Sequence, residues 1–190
     1  EDYVAWCWDA GDSAPASNND GSVASTVKAS TANGFSIVTH DNGSGTRTVG
    51  HGLNSAPELI IEKKRDSSGD WLVQTTVIDS SNDYLRLNTT AAKADGSGAS
   101  PTSTVYTPNV GGGADCLAYC FHSVTGYSKI GVYTGNGSAT GPTVTCGFRP
   151  AFVMIKRTDS TGSWYIFDVN RDPDNKGQRY IRPNVANAEG

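Results

Sequence analysis

Three histidines, His40, His51 and His122, are the first residues in this chain to consider for catalysis or metal binding. Either role requires imidazoles to converge with carboxylates or a thiol. His51 stands between two glycines, but when the chain is aligned with itself the counterpart of His51 is Cys146. Packing or solvated-loop roles are therefore expected. The sequence contains none of the hydrolase, zinc-protease, phosphate-loop or dinucleotide motifs in a suitable setting, so we predict a non-enzymatic protein with no catalytic residue.

A second candidate is an acidic turn that has the composition of a calcium loop: Asp172, Pro173, Asp174 and Asn175, followed by Gly177. It lacks the downstream glutamate of the helical calcium loop and lies between predicted strands. Turn formation is the favoured interpretation, and a calcium ion between strands is the alternative. We predict no metal ion and no cofactor.

Aromatic rings are the third candidates, because a ring face stacks on the apolar face of a sugar while a polar rim supplies hydrogen bonds. The four tryptophans occupy strand-like positions, which favours packing in a core; they are Trp6, Trp8, Trp71 and Trp164. The tyrosines favoured as partly exposed rings are Tyr84, Tyr106, Tyr133 and Tyr180. Of these, Tyr84, Tyr133 and Tyr180 are the predicted ligand-binding residues.

The elements that position these residues are organised around an internal repeat. The stretch from Pro57 to Trp71 recurs from Pro150 to Trp164 at a constant spacing of 93 residues, with its Pro, Lys, Asp, Ser, Gly and Trp retained. Glu62, by contrast, becomes Ile155. The retained residues form a turn or return to a core, so we predict a structural β-hairpin used twice rather than a binding patch.

The repeat extends beyond the hairpin. Tyr3 to Trp8 is apolar on both faces and predicts a central strand covered on both sides; it matches Cys116 to Phe121 at a spacing of 113. Phe35 to His40 and Tyr127 to Tyr133 each begin a predicted hairpin. The turns of these two hairpins are the Asn-Gly pairs at 42–43 and 136–137. A last pair of corresponding strands is predicted at Tyr84 to Asn88 and at Tyr180 to Asn184.

The repeat divides the chain into a first copy, residues 1–103, and a second copy, residues 104–190, truncated at its end. Residues 9–33 have no counterpart in the second copy, and their Ser, Asn, Gly and Thr content predicts an inserted surface loop. Both chain ends fall inside the repeat register, so we expect one compact unit of a longer array. The fold class predicted is all-β, a β-sandwich or jelly-roll-like body whose halves share a core.

Composition and net charge argue against two classes of function, nucleic-acid binding and insertion into a membrane. The chain has 190 residues, 22 of them Gly, with a net charge of −4 and a pI near 5.2. An acidic chain is a poor partner for nucleic acid, and no apolar run is long enough to span a membrane. The four cysteines fit no disulfide framework and are expected to be buried free thiols.

The chain resembles a family of phage proteins through YVAWCW, GFSIVTH, APELIIEKKRDSSGDW and YLRLNTTAA, and through CLAYCFH, GYSKIGVYTGNG, GFRPAFVMIKRTDSTGSW and YIRPN in the second copy. These stretches are similar to a repeat domain of large structural proteins from marine tailed phages, the tail-fibre-like and other virion proteins of cyanophages. Such chains often also carry concanavalin-A-like lectin modules. The resemblance covers nearly all of the sequence and implies a β-sandwich virion component; it supplies no active-site residues.

The leading functional hypothesis is thus a non-enzymatic virion module in a tail fibre, spike or capsid decoration. Its expected partners are other virion proteins, further copies of the repeat and a host-surface glycan, and we expect it to be an oligomer in the virion. The alternative is a carbohydrate-binding, lectin-like module of a phage or bacterial surface protein. A polysaccharide-degrading enzyme would need a carboxylate pair in an aromatic cleft, and no pair stands out.

Overall fold

The fold is all-β, as predicted. The computed structural model describes residues 3–41, 43, 45–111, 115–174 and 176–190. The strands in chain order are β1 Ala16–Asn18, β2 Ser25–Ser30, β3 Phe35–Asp41, β4 Val49–Gly50, β5 Leu59–Lys64, β6 Leu72–Thr75, β7 Asp83–Arg86, β8 Ala94–Asp95, β9 Val105–Tyr106, β10 Asp115–Phe121, β11 Phe152–Lys156 and β12 Trp164–Asp168. Eight of them form one antiparallel sheet in the order β1-β2-β3-β10-β5-β6-β7-β8, and β4-β9 and β11-β12 form two small sheets.

Strand β10 occupies the middle of the large sheet. It pairs antiparallel with β3 on one side and with β5 on the other, so a strand of the predicted second copy lies between two strands of the predicted first copy. Its alternating pattern explains the position, since Cys116, Ala118 and Cys120 are fully buried on one face. The backbone amide of Asp115 also donates to the Asp66 carboxylate in the β5–β6 turn, at 3.1 Å.

The two faces of the large sheet are covered by different parts of the chain. One apolar cluster joins the face of Val38, Ile60 and Ala118 to Val49 of β4 and Tyr106 of β9. The cluster on the other face joins strands of both halves, as expected for a shared core; its members are Val73, Leu85 and Trp164, with Leu59, Ile61, Ile78, Leu87 and Met154 packed against them. The sandwich therefore has the large sheet as its central layer, with β4-β9 on one face and β11-β12 on the other.

The hairpins predicted at Pro57 to Trp71 and at Pro150 to Trp164 both form, and their contacts match at the repeat spacing. Ile61 pairs with Val73 in β5–β6, and the corresponding Met154 pairs with Ile166 in β11–β12. The third strands also correspond, because Ile181 forms a bridge to Ile166 where Leu85 pairs with Val73. In each copy an Asn side chain closes the turn: Asn88 accepts from the Trp71 amide at 3.0 Å, and Asn184 from the Trp164 amide at 2.9 Å. The division at residues 103 and 104 stays a prediction.

The central strand predicted at Tyr3 to Trp8 does not form. This stretch has no regular secondary structure, and Tyr3 and Trp8 are 86% and 43% exposed. Its counterpart β10 takes the central place between β3 and β5. Apolar residues on both faces thus identified a segment able to form a buried strand, but only one of the two matching segments lies between paired strands.

The prediction of a loop without strands at residues 9–33 is wrong. Strand β1 pairs with β2, and β2 pairs with β3 along six residue pairs from Ser25–His40 to Ser30–Phe35. Val27 is 8% exposed and lies in the core cluster with Val38. Ser, Thr and Lys dominate β2, so its polar composition concealed an edge hairpin of the large sheet.

The strand predicted at Tyr127 to Tyr133 is also absent from the described structure. Residues 129–150 contain no strand, and Tyr127, Val132 and Tyr133 are about half exposed. Gly137 has the positive φ of 69° expected for the Asn-Gly turn, but no strands flank it. The other Asn-Gly turn includes Asn42, which lies outside the described residues. The hairpin predicted to begin at Phe35 is wrong, because β3 pairs with β2 and β10, and the next strand, β4, pairs with β9.

All four cysteines are free thiols. The expectation of burial is correct for Cys116 and Cys120 and wrong for Cys7, which is exposed, while Cys146 is intermediate. Burial raises the pKa of the Cys116 thiol to about 11 and also raises that of Cys120. Both buried thiols are therefore protonated at neutral pH and serve as small apolar side chains.

Candidate functional site

The described residues form an open cleft of about 360 Å³ beside Tyr84, on the face of the large sheet that also carries Ile60. Strands β5, β6 and β7 present Lys64, Leu72, Tyr84 and Arg86 to the cleft. These side chains share one face because directly opposed residues of antiparallel strands point the same way, and Leu72 pairs with Arg86. The segment leading to β10 contributes Asn109 as the opposite wall.

The polar groups of the cleft are held in a fixed arrangement. The Arg86 guanidinium forms an ion pair with the Asp70 carboxylate at 2.9 Å. It also lies over the Tyr84 ring, 5.2 Å from the ring centroid. Asp70 accepts a further hydrogen bond from the Asn88 side chain at 2.9 Å. The cleft thus combines an aromatic ring, a planar cation and a positioned carboxylate, which are the groups used to orient polar ligands.

A buried carboxylate lies next to the cleft wall. Glu62 is fully buried, accepts a hydrogen bond from the Asn109 amide at 3.1 Å and interacts with the Tyr106 hydroxyl. Tyr106 in turn contacts Nε2 of His40 at 3.1 Å. Burial raises the pKa of Glu62 to about 7, only partly offset by these hydrogen bonds. Burial likewise lowers the pKa of His40 and raises that of Tyr106. This network lies within the core and connects β3, β5 and β9.

Polar atoms without partners accompany this network. One oxygen of Glu62 and both side-chain amide atoms of the fully buried Gln74 have no hydrogen-bond partner, and neither has the Asn109 side-chain nitrogen. Asn109 lines the cleft, but its nitrogen is itself shielded from solvent, so it is an unsatisfied donor inside the cleft wall.

Lys93 links β8, which borders the cleft, to β7 through ion pairs. Lys93 forms ion pairs with Asp79 at 2.7 Å, with the fully buried Asp83 at 2.8 Å and with Asp95 at 3.3 Å. The hydrogen bonds to Asp79 and Asp83 raise the pKa of Lys93, and the bond from Lys93 lowers that of Asp79. Asp95 also lines the cleft, so this cluster holds β8 in place.

The predicted ligand-binding tyrosines lie in different parts of the structure. Tyr84 is in the cleft. Tyr133 is 47% exposed in the segment without strands, and Tyr180 packs against Tyr165 at 5.1 Å between ring centroids. No ring contact joins any two of these three in the part of the chain that the structure describes. Tyr106, favoured as a partly exposed ring, is instead 1% exposed.

The histidines take packing roles. His51 is fully buried; its Nδ1 accepts from the Leu53 amide at 3.1 Å, and its Nε2 lies 3.1 Å from the Thr102 carbonyl oxygen. His122 lies within 2.9 Å of the Ser123 carbonyl oxygen. Within the described ranges no group of three His, Cys, Asp or Glu side chains is placed to hold a metal ion.

In the acidic turn the Asp172 carboxylate accepts hydrogen bonds from backbone amides of the same turn. The Asp172 carboxylate accepts from the Gln178 amide at 2.9 Å, and this bond with those from neighbouring amides lowers its pKa. That pattern is the turn chemistry favoured for this stretch. Asn175, part of the calcium alternative, lies outside the described residues.

Sequence reasoning missed most of the cleft. Arg86 and Asp70 come from strand and turn positions that looked structural, and Asn109 lies in an irregular segment. Glu62 could have been identified from the repeat, because the second copy has the apolar Ile155 at the equivalent hairpin position. A carboxylate at a position that is otherwise apolar needs hydrogen-bond partners. Those partners come from residues 106 and 109, which the hairpin pattern does not include.

The fold and the cleft define an all-β protein with a sandwich body and a polar surface cleft. Residues 1–190 match the family Domain of unknown function (DUF7483) over their whole length, so the chain belongs to that family. No curated protein and no solved structure matches the chain. The described part of the chain contains no helix long and apolar enough to cross a membrane.

Proposed function

We propose that this chain is a non-enzymatic structural module of a tailed-phage virion, part of a tail fibre, spike or capsid decoration. The observation that carries the proposal is the position of β10, a strand of the predicted second copy, between β3 and β5 of the first. A sheet completed by the following copy makes consecutive copies interdependent. This is the behaviour expected of a repeat in an extended assembly.

The distribution of exposed apolar side chains also supports an assembly role. Every large apolar residue that is exposed in the described parts of the chain lies either before residue 9 or after residue 126; they are Tyr3, Val4, Trp8, Tyr127, Val132, Tyr133, Val144, Val153 and Val185. These exposed apolar side chains come from two stretches of the sequence and are the groups that contact with another protein would cover. Other virion proteins or further copies of the repeat are the proposed partners.

Antibody labelling of purified virions, viewed by negative-stain electron microscopy, tests this proposal. The antibody is raised against the folded chain, and a pre-immune serum is the control. Labelling at a fixed position on tails or capsids is the expected result. Antigen found in infected-cell lysate but never on purified particles would contradict it.

The cleft beside Tyr84 favours carbohydrate binding as a second candidate function. Its ring, guanidinium and carboxylates match the hydroxyl groups and apolar faces of a sugar. Such a site would let the module contact a host-surface glycan.

A glycan array probed with the folded chain tests this second candidate. Binding to a defined set of glycans should be lost in Tyr84→Ala and retained in Tyr133→Ala, the same substitution at an exposed tyrosine outside the cleft. Arrays without binding, with folding verified by circular dichroism, would reject it. Loss of binding in Tyr133→Ala but not in Tyr84→Ala would move the site to the second half.

A further inference from the structure

Among the described residues no strand pairs with the outer edge of β11, although β10 pairs with the same edge of its counterpart β5. In the large sheet, β5 lies between β6 and β10. In the small sheet, β11 pairs with β12 in the same register but has no strand on its other side among the described residues. That edge presents backbone amide and carbonyl groups that a further strand can pair with.

The segment Tyr3–Trp8 has the sequence of the strand that this edge lacks. It matches β10 at a spacing of 113 residues, with Ala5 and Cys7 identical to Ala118 and Cys120. In the single chain the backbone of Val4 to Trp8 forms no hydrogen bond to β11. The Trp6 and Trp8 rings nevertheless contact the Phe152 ring at the start of β11, at 5.6 and 5.4 Å between centroids.

The contact between Trp8 and Phe152 is the one that the first half predicts. Phe121 of β10 pairs directly with Leu59 of β5, and these residues correspond to Trp8 and Phe152 at spacings of 113 and 93. Continuing that register places Cys7 opposite Val153 and Ala5 opposite Ile155. Val153 is 37% exposed and Cys7 is exposed, so donor and acceptor are both open to solvent.

We propose that the edge of β11 binds the Tyr3–Trp8 segment of a second copy of this chain as an antiparallel strand, with Trp8 opposite Phe152. The proposal deepens the proposed structural role and rests on it. The partner is a second copy because the chain already uses this exchange internally: β10, a strand of the second repeat copy, completes the sheet of the first. Strand donation between chains extends the same pairing and covers the exposed apolar side chains at both sites.

The register gives a sharp test by disulfide trapping. In the β5–β10 register Arg65 lies opposite Asp115, and its amide donates to the Asp115 carbonyl, so these two form a hydrogen-bonded pair. Hydrogen-bonded and non-hydrogen-bonded pairs alternate along antiparallel strands, and Ile60–Cys120, five positions away, is therefore a non-hydrogen-bonded pair. Its counterpart, Val153 and Cys7, should therefore have Cα atoms about 4.5 Å apart, within the range that a disulfide spans. Oxidised glutathione accepts the two electrons and two protons lost when the thiols join.

The donor chain carries Cys146→Ser and keeps Cys7. The acceptor chain carries Cys7→Ser, Cys146→Ser and Val153→Cys, plus a tag that changes its size. A control acceptor has Met154→Cys in place of Val153→Cys, which puts its thiol on the opposite face of the strand. Mixing donor and acceptor under oxidised glutathione should give a disulfide-linked 1:1 dimer in at least tenfold excess over the control mixture, visible on non-reducing gels.

Two results would overturn the proposal. The first is a yield no higher than in the Met154→Cys mixture. The second is a chain carrying both Cys7 and Val153→Cys that closes only its own disulfide and runs as a monomer, which would show that the segment binds its own β11. If Val153→Cys does not fold, Ala5→Cys and Ile155→Cys, each in a chain with Cys7→Ser and Cys146→Ser, test the next non-hydrogen-bonded pair. Purified chain is used throughout, so failure here leaves the virion-labelling result independent.

Discussion

The β5–β6 and β11–β12 hairpins have related sequences and the same register, yet their surroundings differ. The first is enclosed, with β10 and β7 on its edges and apolar clusters on both faces. The second packs one face on the large sheet through Met154 and Trp164, whereas Val153 on its other face is exposed. The sequence of a hairpin determines its turn and register, but neighbouring strands determine whether it becomes the centre of a sheet.

The largest expected difference between the halves concerns two equivalent alanines. Ala118 is fully buried at the centre of β10, whereas Ala5 is exposed. An aspartate at position 118 would bury an unpaired charge, so Ala118→Asp should cost at least about 4 kcal/mol of unfolding free energy or prevent folding. Ala5→Asp should cost less than about 1 kcal/mol. Urea unfolding of both variants measures the difference; similar costs would mean that the two segments have similar environments.

A second comparison uses the equivalent tryptophans. Trp164 is 3% exposed and its indole donates to the Arg86 carbonyl at 2.8 Å, which links the second hairpin to β7. Trp71 is only half-buried. Trp164→Ala should therefore cost about 3 to 5 kcal/mol, and Trp71→Ala clearly less. Thermal unfolding by circular dichroism checks the order, and a larger effect at Trp71 would be inconsistent with the shared core.

The buried carboxylate of the first half predicts a pH dependence. Because the folded-state pKa of Glu62 is raised from the ordinary 4.5 to about 7, folding is favoured by the bound proton below pH 4.5. This stabilisation is lost as the pH rises from 4.5 to 7, a decrease on the order of 3 kcal/mol. Glu62→Gln should remove this decrease. Chemical denaturation from pH 4 to 8 measures it, with Glu58→Gln as the matched control; an unchanged slope in Glu62→Gln would reject the assignment.

The smallest effect should be the same in both halves. Asn88 and Asn184 accept equivalent hydrogen bonds from the amides of Trp71 and Trp164. Asn88→Ala and Asn184→Ala should each cost about 1 kcal/mol. Urea unfolding of the two variants checks this, and costs that differ severalfold would show that the turns are not equivalent.

The sequence could predict the local elements better than their assembly. The all-β class, both hairpins and the packing role of Trp164 follow from alternation, turn residues and the repeat, which are short-range signals. Strand β2 was missed because its Ser, Thr and Lys residues have the composition of a loop, and its place is determined by pairing with β3. The apolar residues of Tyr3 to Trp8 could not show that this segment forms no strand, since β10 has the same pattern and is a central strand.

The cleft was the least predictable feature for the same reason. Tyr84 was selected as a candidate ring, but Arg86, Asp70 and Asn109 reach it from three separate segments of the chain. Their convergence depends on the pairing of β6 with β7 and on the course of the chain towards β10. A single sequence does not encode that proximity in any short motif.

Residue-resolved hydrogen exchange of the folded chain by NMR tests the central claim, that β10 of the second copy completes the sheet of the first. The amides of Leu117 and Tyr119 in β10 should exchange as slowly as those of Ile61 and Val73, only through global unfolding, because β10 is paired on both edges. Amides of residues 129–144 should exchange orders of magnitude faster. Rapid exchange throughout β10, with β5 and β6 still protected, would contradict the claim.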